Sequence, residues 1–285
     1  MSVPPIGADD GSPPTTPESP LTLQGHWLTP DRGLPLVVVG PSLGTGVVPL
    51  WQECAQQLGG ELDVLGWELP GHGEGPPRDQ PFTVADLAAA VVALVDEHRP
   101  GADFVHAGVS VAGVVGLDLA VGRTLRERSL EPTRVRASVV ICSGAKIGTA
   151  QGWTERAELV RRSGTSTMIE GSRQRWFGPG FPEAHPDSAR ALLDSLARAD
   201  QASYARVCEA LAQVDLRSEL PTIGRPVMVM GGRHDAVVDP DSQQAMAQAI
   251  PGATLRIVED AGHLAPAECP AEVAQTLGEW IATLA

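Results

Sequence analysis

The sequence predicts an α/β fold, a mostly parallel central sheet flanked by helices, with a helical cap inserted into it. Three observations carry that prediction. Short apolar, β-branched runs alternate with stretches of helical periodicity from residue 21 to residue 144. Between residues 145 and 220 the β-branched runs disappear and helical stretches replace them. After Pro221 the strand-helix alternation resumes, and such alternation implies parallel strands covered on both faces.

Taken in order, residues 1–20 are crowded with Pro, Ser, Thr, Gly and Asp. They lack a basic start and an apolar run, so they read as a disordered extension and not as a secretory signal. The runs 21–28 and 34–40 read as strands, the second opening into the loop Gly40-Pro41-Ser42-Leu43-Gly44-Thr45-Gly46. A helix over 48–58 and a strand over 62–69 follow, the strand stopping at Pro70-Gly71-His72-Gly73. Thr83 and Asp86 form a capping-box-like start, with Asp where Glu or Gln is usual, for a helix that must end before Pro100. A buried strand over 104–107, a helix reaching about residue 123 and a strand over 135–142 close the first half. The cap carries helical stretches at 153–162, 187–197 and 203–211. The last part reads as strand 227–231, helix 242–250, strand 253–258 and helix 271–284. The domain organisation is therefore an extension 1–20, a core in two parts, 21–144 and 221–285, and a cap 145–220 between them.

Composition narrows the function. With 42% hydrophobic and 20% charged residues, the 285-residue chain can bury a sizeable core. A formal charge of −14 repels nucleic acid, and no Lys/Arg-rich run offsets it. No apolar run approaches the roughly 18–20 residues that span a bilayer, so neither membrane nor nucleic acid is an expected partner and the expected location is the cytoplasm. Cys54, Cys142, Cys208 and Cys269 are scattered and read as free, mostly buried thiols. No H-E-x-x-H and no His/Cys cluster points to a metal.

The turn Gly108-Val109-Ser110-Val111-Ala112 lies between a buried strand and a helix, the setting in which a sharp bend presents a nucleophilic serine. Residues flanking such a bend must be small, as Gly108 and Ala112 are. Alone, the turn also reads as an ordinary strand-to-helix junction with a capping serine. It does not stand alone, because Asp235 follows the strand at 227–231 and His263 follows the strand that ends at 258. Serine, acid and histidine in that order on three strand ends is the α/β-hydrolase order. The hydroxyl is a weak nucleophile until an imidazole takes its proton, and the carboxylate fixes the imidazole's tautomer. Asp239 and Asp241 are near enough in sequence to be alternative acids, but they lie toward the next helix, where Asp241 reads as an N-cap. The oxyanion needs two donors, and the amides of Val111 and Leu43 stand where this fold supplies them. The loop at 42–45 has neither G-K-[ST] nor G-x-G-x-x-G, so it does not read as a nucleotide cradle. His72 reads as a turn-stabilising residue, and His26, His98, His106, His185 and His234 show no ligand spacing.

From about residue 21 onward these motifs resemble the α/β-hydrolases that act as 3-oxoadipate enol-lactonases in the β-ketoadipate branch of aromatic degradation. General features are Leu69-Pro70-Gly71-His72-Gly73, the Ser110 turn, the Asp235 loop, and Gly262-His263 followed by Glu268 and Pro270. More specific are Ser42-Leu43-Gly44-Thr45 and, in the cap, Ala145-Lys146-Ile147-Gly148-Thr149, Gly152-Trp153, Arg175-Trp176-Phe177 and the segment 204–216. The resemblance implies cofactor-free hydrolysis of the small anionic enol-lactone to 3-oxoadipate through an acyl-enzyme. The substrate's free carboxylate is expected to meet Arg175 or Lys146, with Trp153, Trp176 and Phe177 lining the pocket. Two departures stand out: Ala112 where Gly is usual, and Gly40-Pro41 before Ser42 where a polar residue is typical. The same fold also serves carboxylesterases, C–C bond hydrolases and cofactor-free haloperoxidase-like enzymes. A hydrolase-fold binding protein without turnover is a rival of another class, against which the intact triad argues. A homo-oligomer is left open.

Overall fold

A computed structural model describes residues 20–284; apart from Pro20, the extension expected over 1–20 lies outside the described residues. The chain runs β1 (Gly25–Trp27), β2 (Leu36–Gly40), α1 (Val47–Leu58), β3 (Asp63–Trp67), α2 (Val84–His98), β4 (Phe104–Val109), α3 (Val111–Val121), α4 (Arg123–Glu127) and β5 (Val135–Ile141). The cap follows as α5 (Ala150–Ser163), α6 (Ile169–Trp176), α7 (Phe181–Ala184), α8 (Pro186–Arg198) and α9 (Gln201–Gln213). The second part of the core is β6 (Val227–Gly232), α10 (Pro240–Ala249), β7 (Thr254–Val258), α11 (Ala265–Glu268) and α12 (Pro270–Ala282).

The seven strands form one sheet in the order β1-β3-β2-β4-β5-β6-β7. All pairings are parallel except β1 with β3. β1 is an edge strand of three residues, shorter than the run 21–28 suggests, because only Gly25, His26 and Trp27 meet a register partner. The inner strands β2, β3, β4 and β6 are buried on both faces, as expected of parallel strands covered by helices. α2 begins on the anticipated capping box: the Asp86 amide donates to Thr83 Oγ1 at 3.1 Å and the Thr83 amide to Asp86 Oδ2 at 2.7 Å.

Directly behind the turn at Ser110, α3 is apolar all round because it is buried on nearly every side. Its one acid, Asp118, accepts from Thr124 Oγ1 at 3.0 Å, and burial pushes its carboxyl above the usual range. Gly122, in the left-handed region at φ 67°, ends α3 short of residue 123, and the chain restarts as α4. The helices missed in the sequence are short or polar. α6 reads IEGSRQRW, with too few apolar residues to mark a face, and α7 and α11 are four residues each with Pro near the start.

Register decides where the chemistry gathers. Gly40 pairs with Gly108, Val109 with Ile141, Ile141 with Met230, and Gly232 with Val258. The carboxyl ends of β2, β4, β5, β6 and β7 therefore stand level on one edge, the edge where open parallel sheets bind ligands. Among the described residues, no helix is long and apolar enough to cross a membrane.

Candidate active site

Ser110 follows β4 directly, at φ 56° and ψ −116°, a region costly for any residue with a Cβ. Its neighbours hold it there. Its amide donates to the Ile141 carbonyl at 2.9 Å, and its carbonyl accepts from the Val114 amide at 3.1 Å and from Ser143 Oγ at 2.6 Å. A side chain at Gly108 would run into the backbone carbonyl of Ala112. A Cβ on Gly40 would lie 2.5 Å from the Ala112 Cβ. The Ala112 methyl thus fills the space over two paired strand-end glycines, which accounts for Ala where Gly is usual.

Three residues beyond β6 stands Asp235, and five beyond β7 stands His263; both are buried. His263 Nδ1 lies 3.0 Å from each Asp235 carboxylate oxygen. Facing a carboxylate, Nδ1 carries the hydrogen, which leaves the Nε2 lone pair for a proton. Asp235 Oδ1 also accepts from the amides of Val237 at 2.8 Å and Val238 at 3.0 Å, so the carboxylate cannot swing away from the ring. Asp239, weighed as an alternative acid, is occupied elsewhere: it caps α10 through the Ser242 amide at 2.9 Å. The cap is therefore Asp239 and not Asp241, because Pro240 takes the first helical position and shifts the start by two residues. Among the described residues, no hydrogen bond joins Ser110 Oγ to His263; such contacts commonly tighten only with substrate bound.

The His263 loop is tied to the cap. The His263 amide donates to the Trp176 carbonyl at 2.8 Å. Glu268, buried beneath, accepts from the amides of Gly262 at 3.1 Å, Leu264 at 3.0 Å and Gly178 at 2.6 Å. One carboxylate thus clasps both sides of His263 and the end of the cap segment 176–178. Burial pushes its carboxyl above the usual range against the pull of those three amides. The close approach needs glycine: a Cβ on Gly262 would sit 2.6 Å from the Gly178 nitrogen and 2.8 Å from the Trp176 carbonyl oxygen.

Leu43 and Val111 lie on loops at the ends of the adjacent strands β2 and β4. Val111 opens α3, whose N-cap Ser110 makes no side-chain cap bond, so the first-turn amides are not taken by that side chain. The Leu43 loop is stiffened by Thr45, whose hydroxyl donates to the Ser42 carbonyl at 3.0 Å and accepts from the Ser42 amide at 3.1 Å. The next two amides are held from outside the loop, Gly46 by Ser195 Oγ of α8 at 2.6 Å and Val47 by Glu68 Oε2 at 2.9 Å. Sequence reasoning did not find Glu68 or Ser195, whose partners lie far off along the chain. The only signal for Glu68 was a carboxylate placed between a strand and Pro70-Gly71-His72-Gly73.

The expected substrate-binding residues are not all brought to one place. The Trp176 ring lies against Gly44, where an added Cβ would meet it at 3.3 Å. Trp153, half-buried, donates its indole N–H to the Ile147 carbonyl at 2.6 Å. Phe177 packs edge-on to Trp176 and stacks on Phe181. Arg175, immediately before Trp176, folds back so that Nε donates to the Gly171 carbonyl at 2.8 Å. Lys146 points elsewhere: its ammonium lies 3.2 Å from Asp215, in a surface groove with Val237, Asp239 and Met246 whose lining includes neither Ser110 nor His263. His72 Nδ1 donates to the Pro70 carbonyl at 2.9 Å, consistent with a turn-holding role. Among the described residues, no three His, Cys, Asp or Glu side chains converge as metal ligands.

The sequence profile of the alpha/beta hydrolase family matches residues 17–276. A 3-oxoadipate enol-lactonase from Acinetobacter baylyi is 33% identical over 83% of this chain and 84% of its own length. A pimeloyl-[acyl-carrier protein] methyl ester esterase from Stenotrophomonas maltophilia is 31% identical over 89% of this chain and 95% of its own. The crystal structure of the enol-lactonase from Burkholderia xenovorans superimposes with a TM-score of 0.82 at 28% identity, covering 91% of this chain and 96% of that one.

Proposed function

Because the chain belongs to the alpha/beta hydrolase family, we propose that it hydrolyses a small ester or lactone through an acyl-enzyme on Ser110, and that its substrate is the enol-lactone of 3-oxoadipate. The observation that carries the chemistry is the His263–Asp235 pair, with both carboxylate oxygens 3.0 Å from Nδ1, on the same sheet edge as the strained Ser110. The choice of substrate rests on the likeness to enol-lactonases over most of the chain.

In this reading His263 Nε2 takes the Ser110 proton as Oγ attacks the lactone carbonyl, and Asp235 stabilises the imidazolium. The Val111 and Leu43 amides receive the oxyanion. The ring C–O bond breaks and the oxygen leaves as an enolate, a good leaving group; the proton that His263 took from Ser110 passes to the enolate, which becomes the ketone, and His263 is neutral again. A water then gives its proton to His263 and attacks the acyl carbon, and Ser110 recovers its proton as it departs. Trp176 over the oxyanion loop and Trp153 beside the cap's first turn serve as walls.

The likeness to a methyl ester esterase favours a second reading, a carboxylesterase acting on another small carboxylic substrate. The experiment is hydrolysis of freshly generated 3-oxoadipate enol-lactone by wild type and Ser110→Ala, followed by loss of its absorbance. Rapid turnover that falls by about 10³-fold or more in the variant supports the lactonase. Failure on the lactone together with Ser110-dependent cleavage of p-nitrophenyl acetate keeps the hydrolase and discards the substrate.

A further inference from the structure

An enol-lactone with a free carboxylate must be captured by a chain of formal charge −14, so the long-range field opposes binding and a local cation has to overcome it. Most arginines of the cap are not available for this. Arg161 and Arg206 pair with Glu209, Arg162 with Glu158 and Arg190 with Asp187. Lys146 and Arg217 share Asp215. Among the described residues Arg156, Arg173, Arg175 and Arg198 form no ion pair with a carboxylate, and of these four Arg156 and Arg175 act on the buried Tyr204.

Arg156 is placed with unusual care for an unpaired cation. It projects from α5 between two aromatic rings, its guanidinium carbon 5.4 Å from the Trp153 ring centre and 5.5 Å from that of Tyr204. Such stacking fixes the guanidinium plane while leaving its edge for an acceptor. Arg156 Nε is buried without a hydrogen-bond partner, and the hydroxyl of the fully buried Tyr204 faces the Arg156 guanidinium, which can only donate, so its own hydrogen has no acceptor. Buried donors are normally satisfied. Two together, one of them cationic, mark a place built for an acceptor. Tyr204 is itself held by His72, whose ring stacks on it at 5.8 Å and 18°.

Arg175 completes the group. Its positive charge is felt at Tyr204, and burial and the nearby Arg156 both disfavour its charged form. Two arginines close enough to repel, neither paired with an acid among the described residues, gain stability when an anion arrives. Arg175 also links the cluster to the reaction edge. Its neighbour Trp176 accepts the His263 amide through its carbonyl and lays its ring against Gly44, next to Leu43.

From the stacked, unpaired Arg156, the buried Tyr204 hydroxyl and the adjacent Arg175, we propose that the cap holds a carboxylate-binding subsite, with Arg156 as its principal residue. It selects small esters and lactones that carry a terminal carboxylate. This rests on the reading of the site as that of a hydrolase of small anionic substrates, but binding and hydrolysis can be tested apart.

The test is calorimetric titration of Ser110→Ala with adipate, a short dicarboxylate, and with adipamide, its uncharged analogue. Adipate binds and adipamide does not. Adding Arg156→Gln weakens adipate binding by about 10- to 100-fold, the range expected for losing charge-assisted hydrogen bonds. Arg156→Lys restores part of it, and Arg175→Gln gives a smaller loss. Thermal unfolding of each variant, close to that of the parent, shows that the loss is not one of folding. Equal affinity for adipate with and without Arg156→Gln, equal affinity for adipate and adipamide, or no adipate binding at all overturns the subsite. A parallel assay with wild type compares p-nitrophenyl hydrogen adipate with p-nitrophenyl hexanoate. Arg156→Gln lowers kcat/KM on the first, mainly through KM, and leaves the second within about twofold. If adipate binds through Arg156 and neither ester nor lactone is cleaved, the subsite stands and the hydrolase reading falls.

Discussion

Ser110 sits in a backbone conformation that its own Cβ resists, and Ile141, Val114 and Ser143 hold it there with three hydrogen bonds. Its partners are as constrained. Because Asp235 Oδ1 already accepts two amides, Asp235→Asn must keep its carbonyl oxygen there and turn its NH₂ toward His263. That favours the wrong imidazole tautomer. The expected outcome is a kcat lower by about 10³- to 10⁴-fold with little change in KM, read by steady-state kinetics on whichever ester or lactone the wild type cleaves. Glu268 acts on His263 through the backbone. In Glu268→Gln one of three donating amides meets an NH₂ in place of an oxygen, and an unsatisfied buried group costs about 1–3 kcal/mol. We expect a lower Tm together with a fall in kcat, and an unchanged kcat would show that the clasp does not position His263. Ala112→Gly probes the one departure at the elbow. It should keep activity and lose about 1 kcal/mol of stability, measured by denaturant unfolding.

At the scale of elements, α1 carries the consequence of a buried carboxyl. Glu68 meets the Val47 amide at the start of α1, yet burial raises its pKa from an ordinary 4.5 to about 8, outweighing the opposing pull of that amide. The folded state therefore holds this proton more tightly than the unfolded chain does. Stability from this group is full below pH 4.5 and is lost as the pH rises to about 8. Glu68→Gln, which mimics the protonated form, should flatten that part of the Tm-against-pH curve. A curve as steep as that of wild type would assign the dependence to another group. The elements also show what was legible from the chain. β4, α3 and β6 are almost wholly apolar, interrupted only by His106 and Asp118, and are readable. α6 is not, because its polar sequence gains helical order from packing against α8 and offers no apolar face of its own.

Across the whole molecule the cap is bonded to both parts of the core. Trp176 and Gly178 join the His263 loop, Ser195 holds Gly46, and the Asp200 amide donates to the Gly71 carbonyl. A cap so connected is expected to unfold with the core. Urea unfolding followed by tryptophan fluorescence, with Trp51 and Trp67 in the core and Trp153 and Trp176 in the cap, should coincide with far-UV circular dichroism in a single transition. Two separated transitions would mean that the cap melts alone and that Glu268 does not couple it to the core.

The sequence alone determined the layered α/β architecture and pointed to Ser110, Asp235 and His263 on three strand ends, with Asp239 and Asp241 as alternative acids, because both readings follow from local patterns: strand periodicity, turn residues and small side chains at a sharp bend. Tertiary structure decided which acid faces the histidine and which residue caps α10. It also revealed the clasp at Glu268, the support of the Leu43 loop by Glu68 and Ser195, and the pairing of Lys146 with Asp215. These depend on contacts between residues tens to more than a hundred positions apart, or on a shift of one helical start. Hydrophobic periodicity records which face of an element is buried, and it carries no record of which distant polar atom lies opposite.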